Sequence, residues 1–317
     1  MMRRRTAAFL SPLMTIAIIL ILLTAGCFSP PGQRGPEGET KNRATEGLPS
    51  EKIVRVVATI FPLADIIKQI GGEAVEVATL LTPGSSPHTF EPTVEQARAV
   101  SEADLMVFVG GGLDNWAVKL GTAGEKTVLL EIMALLAKEE DSDAAFTDNP
   151  HIWVDPVLVK ERIAPLICRA LKSIYPDGAA SFEENLKSFQ QELDTLHKEL
   201  SELTAAFSQK RFISFHSAWH YFARRYGLQE VASVEEFPGK EPSAKWLEEL
   251  VKLADLHNIR VIFAEPQLGN RVAEVIASEI GGKVLLLDPL GGEGVPGRES
   301  YLELIRYNAE IFRQALQ

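Results

Sequence analysis

Short apolar runs along this chain alternate with stretches of helical spacing. IVRVVAT at 53–59 precedes a helical pattern from about Pro62 to Ile70, AVEVATLL at 74–81 precedes one after Pro92, and DLMVFVG at 104–110 precedes one around Trp116. That order predicts βαβ units, a parallel sheet covered by helices. The second half repeats it with RFISF, EVASVEE, IRVIFAE and KVLLLD, each followed by a loop or a helical pattern. The expected class is α/β, with two lobes that each hold a mainly parallel sheet flanked by helices.

Between the halves, Phe182, Leu186, Phe189, Leu193, Leu196, Leu200, Leu203 and Phe207 recur at alternating spacings of four and three, one apolar seam along one helix. A helix of about 26 residues is roughly 39 Å long at 1.5 Å per residue. Such a length predicts a rigid strut joining the lobes, while periodicity alone leaves open a long helix packed inside one of them.

The amino-terminal end follows different rules. Arg3, Arg4 and Arg5 precede the apolar run AAFLSPLMTIAIILILL, which closes on Thr24-Ala25-Gly26-Cys27. This is the order of a secretory signal peptide, and Ser11, Pro12 and Thr15 interrupt the run of about 20 apolar residues that a spanning helix needs. The segment resembles a bacterial lipoprotein signal in which Cys27 becomes the lipidated first residue; ordinary cleavage near Cys27 is the alternative. From Phe28 to about Ser50 the chain turns rich in Pro, Gly and charge and reads as a tether. The expected organisation is a signal peptide at 1–26, a lipidated tether at 27–50, an amino-terminal lobe at 51–178, the linking helix at 179–208 and a carboxyl-terminal lobe at 209–317.

Charge and cysteine narrow the function. The net charge is −11, and losing the three arginines of the signal, its only charges, takes it to −14. Nucleic acid is an unfavourable partner for such a chain, whereas cations are weakly attracted. Cys27 and Cys168 are the two cysteines; Cys168, within PLICRAL, is expected to be a small buried hydrophobe.

Ligands of open α/β sheets collect beyond the carboxyl ends of strands. His88 follows VEVATLL through the turn TPGSSPH, His216 ends RFISF, Glu265 ends IRVIFA and Asp288 ends KVLLL, while His151 sits in the loop NPHIWVDP. A cleft between lobes would set His88 and His151 against His216 and Asp288. Three nitrogens and an oxygen suit tetrahedral Zn²⁺.

These residues lie within GSSPHTFEPT (84–93), NPHIWVDP (149–156), SFHSAWHYFARRYGL (214–228), IFAEPQ (262–267) and LLLDPLGG (285–292). The segments resemble, in order and spacing, the motifs of the extracytoplasmic zinc and manganese solute-binding proteins of ABC importers, in their zinc-binding ZnuA-like branch. The resemblance runs from about Ile53 to the carboxyl terminus. It implies two α/β lobes bridged by a long helix, a metal held in the inter-lobe cleft by His88, His151, His216 and Asp288, and no enzymatic activity. It also implies a membrane permease and its ATPase as partners, and a monomer anchored by lipid on the outer side of the cell membrane. Zinc members place His where His216 stands and manganese members commonly place Glu, so Zn²⁺ is the expected cargo and Mn²⁺ the alternative; oxygen-rich donor sets suit manganese better.

Three departures from the family pattern stand out. The stretch AKEEDSDAAFTDNP keeps carboxylates but no histidine, and reads either as a solvated loop or as a weak collector of cations. Pro87 occupies the place of an auxiliary carboxylate. His220, four residues after His216, would share its face if both lay on one helix, as a structural residue, an orienting partner or an alternative ligand. Glu265 has two readings as well: it orients a ligand histidine, or it completes the metal shell. A zinc hydrolase is disfavoured because no HExxH occurs and four protein ligands leave no place for water. Nothing in the sequence supports a specific adhesin contact.

Overall fold

The computed structural model describes residues 52–122, 126–138, 149–235 and 239–317. The expected signal peptide, Cys27, the tether and most of the acidic stretch lie outside the described residues.

The first lobe runs β1 (Val54–Ala58), α1 (Phe61–Gly71), β2 (Val75–Thr79), α2 (Val94–Glu102), β3 (Leu105–Phe108), α3 (Trp116–Gly121), β4 (Val128–Glu131) and α4 (Ile132–Leu136). A short α5 (Pro156–Leu158) then passes through a π turn at Val159–Ile163 into α6 (Ala164–Ile174), and α7 (Ala179–Ala205) leads out of it. The second lobe comprises β5 (Arg211–Ser214), α8 (His220–Arg225), β6 (Gln229–Ser233), α9 (Ala244–Leu256), β7 (Val261–Ala264), α10 (Arg271–Glu279), β8 (Lys283–Leu286) and α11 (Tyr301–Leu316).

Both sheets are parallel and share one topology, β2-β1-β3-β4 and β6-β5-β7-β8. Burial follows strand position. Central β3 and β7 are buried at every residue, while edge strands β2 and β6 are half exposed. In each sheet the chain reverses direction of winding beside the first strand, so the carboxyl ends open a crevice there. Strand β4 was not singled out by the pattern, because VLLEIMALLA runs from strand to helix with Glu131 as its one polar residue and no turn residue between.

Helix α7 spans 27 residues and buries Phe182, Phe189, Leu193, Leu196 and Leu200. It packs on α1 and α6 of the first lobe and on α11 of the second. One apolar core therefore runs from Val56 and Ile66 through Phe189 and Leu196 to Phe212, Phe263 and Phe312. Each large apolar side chain so buried contributes about 2 kcal/mol, and an inter-lobe hinge would have to expose several of them. This is the bridging helix of the expected fold, with both lobes packed against it rather than merely tethered by it. Cys168 is buried and free, as its apolar surroundings suggested. Among the described residues, no helix is long and apolar enough to cross a membrane.

Candidate metal centre

His88 lies on the turn between β2 and α2, and local chemistry fixes both ends of that turn. Thr93 and Gln96 form a reciprocal capping box at the start of α2, and the Gln96 side-chain amide also donates to the Leu80 carbonyl at 2.6 Å. Trp116 Nε1 donates to the carbonyl of Pro87 at 2.9 Å, and its ring packs on Phe90, so the residues flanking His88 are held from one side chain.

His151 belongs to the first lobe but is held largely by the second. Asn149 Oδ1 accepts from the His151 backbone N–H and approaches His151 Nδ1, both at 2.9 Å, while Asn149 Nδ2 donates to the Ser217 carbonyl at 2.6 Å. Tyr221 Oη donates to the Asn149 carbonyl at 2.9 Å. Trp153 Nε1 donates to Pro289 O at 2.7 Å, Tyr301 Oη to Trp153 O at 2.8 Å, and Arg225 pairs with Asp155 at 2.9 Å. The orienting role of Asn149 was missed in the sequence. Its signal is an Asx turn, an Asn placed two residues before the histidine whose N–H it accepts.

His216 leaves the end of β5 buried, at 5% exposure. Its Nδ1 lies 2.5 Å from Glu265 Oε1, a close ionic contact whose angle departs from that of a well-aligned hydrogen bond. A ring nitrogen held by a carbonyl or carboxylate directs the other nitrogen outward. Accordingly, the Nε2 atoms of His151 and His216 face each other at 3.1 Å, and those of His88 and His151 at 3.3 Å. Candidate donor atoms of His88, His151 and His216 all fall within 4.8 Å of one another, the one such group among the described residues.

Electrostatics keep two of the three imidazoles neutral at this point. Burial, together with the neighbouring His216, pushes His88 down to about 4, and burial holds His151 well below the usual imidazole range. Burial opposes charge on His216 too, but Glu265, with Glu230 and Glu235 further off, outweighs it and raises this histidine. Burial raises Glu265 against the pull of His216. With their Nδ1 positions committed to Asn149 and Glu265, His151 and His216 present Nε2 lone pairs to each other, an arrangement that a shared cation or proton relieves. Two nitrogens bound to a tetrahedral Zn²⁺ at about 2.0–2.1 Å stand roughly 3.3 Å apart, close to the spacings here. The enclosed space is about 10 Å³, lined also by Trp153, Gln267 and Leu268, which suits one small ion and no organic ligand.

Not every expected residue joins this group. Asp288, expected as the fourth ligand, stands outside the converging donors although it is 3% exposed. Its Oδ1 accepts from Gln267 Nε2 at 2.7 Å and from the backbone N–H groups of Leu290 and Gly291 at 3.0 and 3.1 Å, and its Oδ2 pairs with Arg298 at 2.9 Å. Of the two readings of Glu265, the geometry matches the one that orients a histidine. His220 is exposed at the start of α8, and His216 lies in the loop before that helix, so the shared-face argument for the pair does not hold. Arg298 and Gln267 were missed in the sequence, and no local pattern marks either.

Known proteins resemble this chain in sequence and fold. The chain is 28% identical over 278 residues to the zinc-binding lipoprotein AdcA of Streptococcus pneumoniae, covering 82% of this chain and 55% of that one, so it spans little more than half the length of that relative. It is 28% identical over 294 residues to the high-affinity zinc uptake system protein ZnuA of Bacillus subtilis, covering 87% and 92%. A crystal structure of ZnuA superposes with a TM-score of 0.74 at 33% identity, covering 84% of this chain and all of that one. The model of the zinc-uptake complex component A periplasmic family matches residues 56–315, so the chain belongs to the ZnuA family.

Proposed function

We propose that this chain is the extracytoplasmic metal-binding component of an ABC import system, that its cargo is Zn²⁺, and that His88, His151 and His216 hold the ion. The observation that carries this is the convergence of three imidazole nitrogens within 4.8 Å, two of them aimed by Asn149 and Glu265. Imidazoles must be neutral to bind a metal, and burial keeps His88 and His151 in that form. Glu265 supplies negative charge behind His216 and offsets part of the charge of the bound cation. A nitrogen-rich set favours Zn²⁺ over Mn²⁺, whose sites are richer in oxygen. Relatives named for zinc uptake and zinc binding support the same cargo.

Members of the family it belongs to are solute-binding proteins, so such a chain is a carrier, not an enzyme. It would hand the ion to a permease and, through it, draw on the ATPase. Lipidation at Cys27 would keep a monomeric carrier beside that permease. Because one core crosses both lobes, loading should rearrange the loops around the site and leave the lobes where they are.

The test is a competition titration of residues 49–317, which form their own compact unit. The protein is stripped with chelator and offered Zn²⁺ against Mn²⁺, beside His216→Ala. One-to-one zinc binding that the variant loses, with a rise in thermal stability on loading, is expected. A preference for Mn²⁺, or binding indifferent to His216, would overturn the reading.

A further inference from the structure

We infer that Glu230, a carboxylate outside the converging donors, positions His151 from the opposite lobe, acting through Ser217 and Asn149. The inference rests on the three-histidine site proposed above. Glu230 lies on edge strand β6 and pairs in register with Phe212 of β5, so it shares the sheet face of Phe212 and, two residues on, of Ser214. Immediately after that pair the register slips by one residue, a bulge of the kind that re-aims a side chain. The carboxylate meets the hydroxyls on either side of His216. Ser217 Oγ donates to Glu230 Oε2 at 2.5 Å, and Ser214 Oγ contacts Oε1 while lying 2.8 Å from the His216 carbonyl.

The turn so held carries a tie between the lobes. The Ser217 carbonyl accepts from Asn149 Nδ2 at 2.6 Å, and because that end of the amide is committed there, Asn149 turns Oδ1 to His151. Oδ1 accepts from the His151 backbone N–H and from its ring, both at 2.9 Å. The ring proton is thereby fixed on Nδ1, and the Nε2 lone pair faces the other histidines. With the amide the other way round, Nδ2 would face Nδ1, the proton would move to Nε2, and that nitrogen could not bind a cation. Glu230 acts on His151 without touching it: it fixes the Ser217 carbonyl, the carbonyl sets the Asn149 amide, and the amide sets the ring. The competing account is a charge effect on His216, since Glu230 is among the carboxylates felt there.

The experiment compares the wild-type chain with Glu230→Ala, Glu230→Gln, Asn149→Ala and the variant carrying both alanines. Each is read by chelator competition for Zn²⁺ and, metal-free, by nitrogen NMR of labelled histidine, which shows which ring nitrogen carries the proton. In Glu230→Ala zinc affinity should fall by about tenfold, the lower end of the effect that partners behind metal ligands have. His151 should shift toward the Nε2–H tautomer there, while His216, held by Glu265, keeps its own. Glu230→Gln still reaches both serines and should keep affinity and tautomer close to wild type. The double variant should bind zinc no more weakly than Asn149→Ala, since losses along one chain of contacts do not add. Wild-type affinity and tautomer in Glu230→Ala would overturn the inference. So would losses that add in the double variant, or a Glu230→Gln that loses as much as Glu230→Ala, since the carboxylate would then act through its charge. Where Glu230→Ala does not fold, Ser217→Ala cuts the same tie from its other end and carries the same expectations. Failure of the histidine site itself reads differently, as zinc binding by the wild-type chain that ignores His216→Ala.

Discussion

Glu265 and Asp288 are two carboxylates in almost the same situation. Each follows a strand of the second sheet, β7 and its neighbour β8, and each is 3% exposed. Glu265 turns to His216 Nδ1, whereas Asp288 turns to Arg298, Gln267 and the 290–291 backbone. One faces a histidine of the candidate site; the other faces a guanidinium beside it. Burial at a strand end therefore makes a carboxylate a candidate, and the charge opposite it decides what the candidate does.

The sharpest way to break that contrast is to remove Asp288. Asp288→Ala leaves the half-buried Arg298 without its anion and strands the Leu290 and Gly291 N–H groups, which should cost about 2 kcal/mol of stability, as leaving buried donors unsatisfied does. Urea unfolding of the metal-free protein measures it. Zinc affinity at temperatures where the variant is folded should change far less than in His216→Ala. A variant as stable as wild type that no longer binds zinc would show instead that the ion, not the arginine, is the carboxylate's partner.

Glu265 should behave in the opposite sense. Glu265→Gln keeps a group able to accept from His216 Nδ1 but removes the charge, so zinc affinity should fall by about 10- to 100-fold. The metal-free protein should gain or lose little, because burial already works against a charged Glu265. Competition against a chelator of known affinity reads the loss. Equal affinity in Glu265→Gln and wild type would mean that the carboxylate neither orients His216 nor balances the ion.

The contrast also marks what the sequence could tell. The βαβ order, the bridging helix and the three histidines were legible because each rests on a local pattern: apolar runs, the seam from Phe182 to Phe207, and histidines in turns after strands or in a motif. β4 was hidden in a mostly apolar run that passes from strand into helix with only Glu131 between. Of the partners of the site, Glu265 was legible from its place at a strand end, and the others were not. Asn149 reaches Ser217, Arg298 reaches Asp288 through a glycine turn, and Tyr301 reaches Trp153, contacts that depend on how the lobes meet. Spacing in the chain carries no record of them. The spacing of His216 and His220 would have put them on one face only of a shared helix, and the helix begins at His220 itself.

His220 supplies the control for the whole comparison. It is exposed, with its ring against Tyr221 at 5.3 Å and no place among the converging nitrogens. His220→Ala should leave zinc affinity unchanged and stability within about 0.5 kcal/mol, as surface substitutions away from special contacts do. The same competition titration and unfolding curve measure both. A clear loss of affinity would mean that a histidine outside the buried cluster takes part in capturing the ion, and that the boundary drawn here around His88, His151 and His216 is too tight.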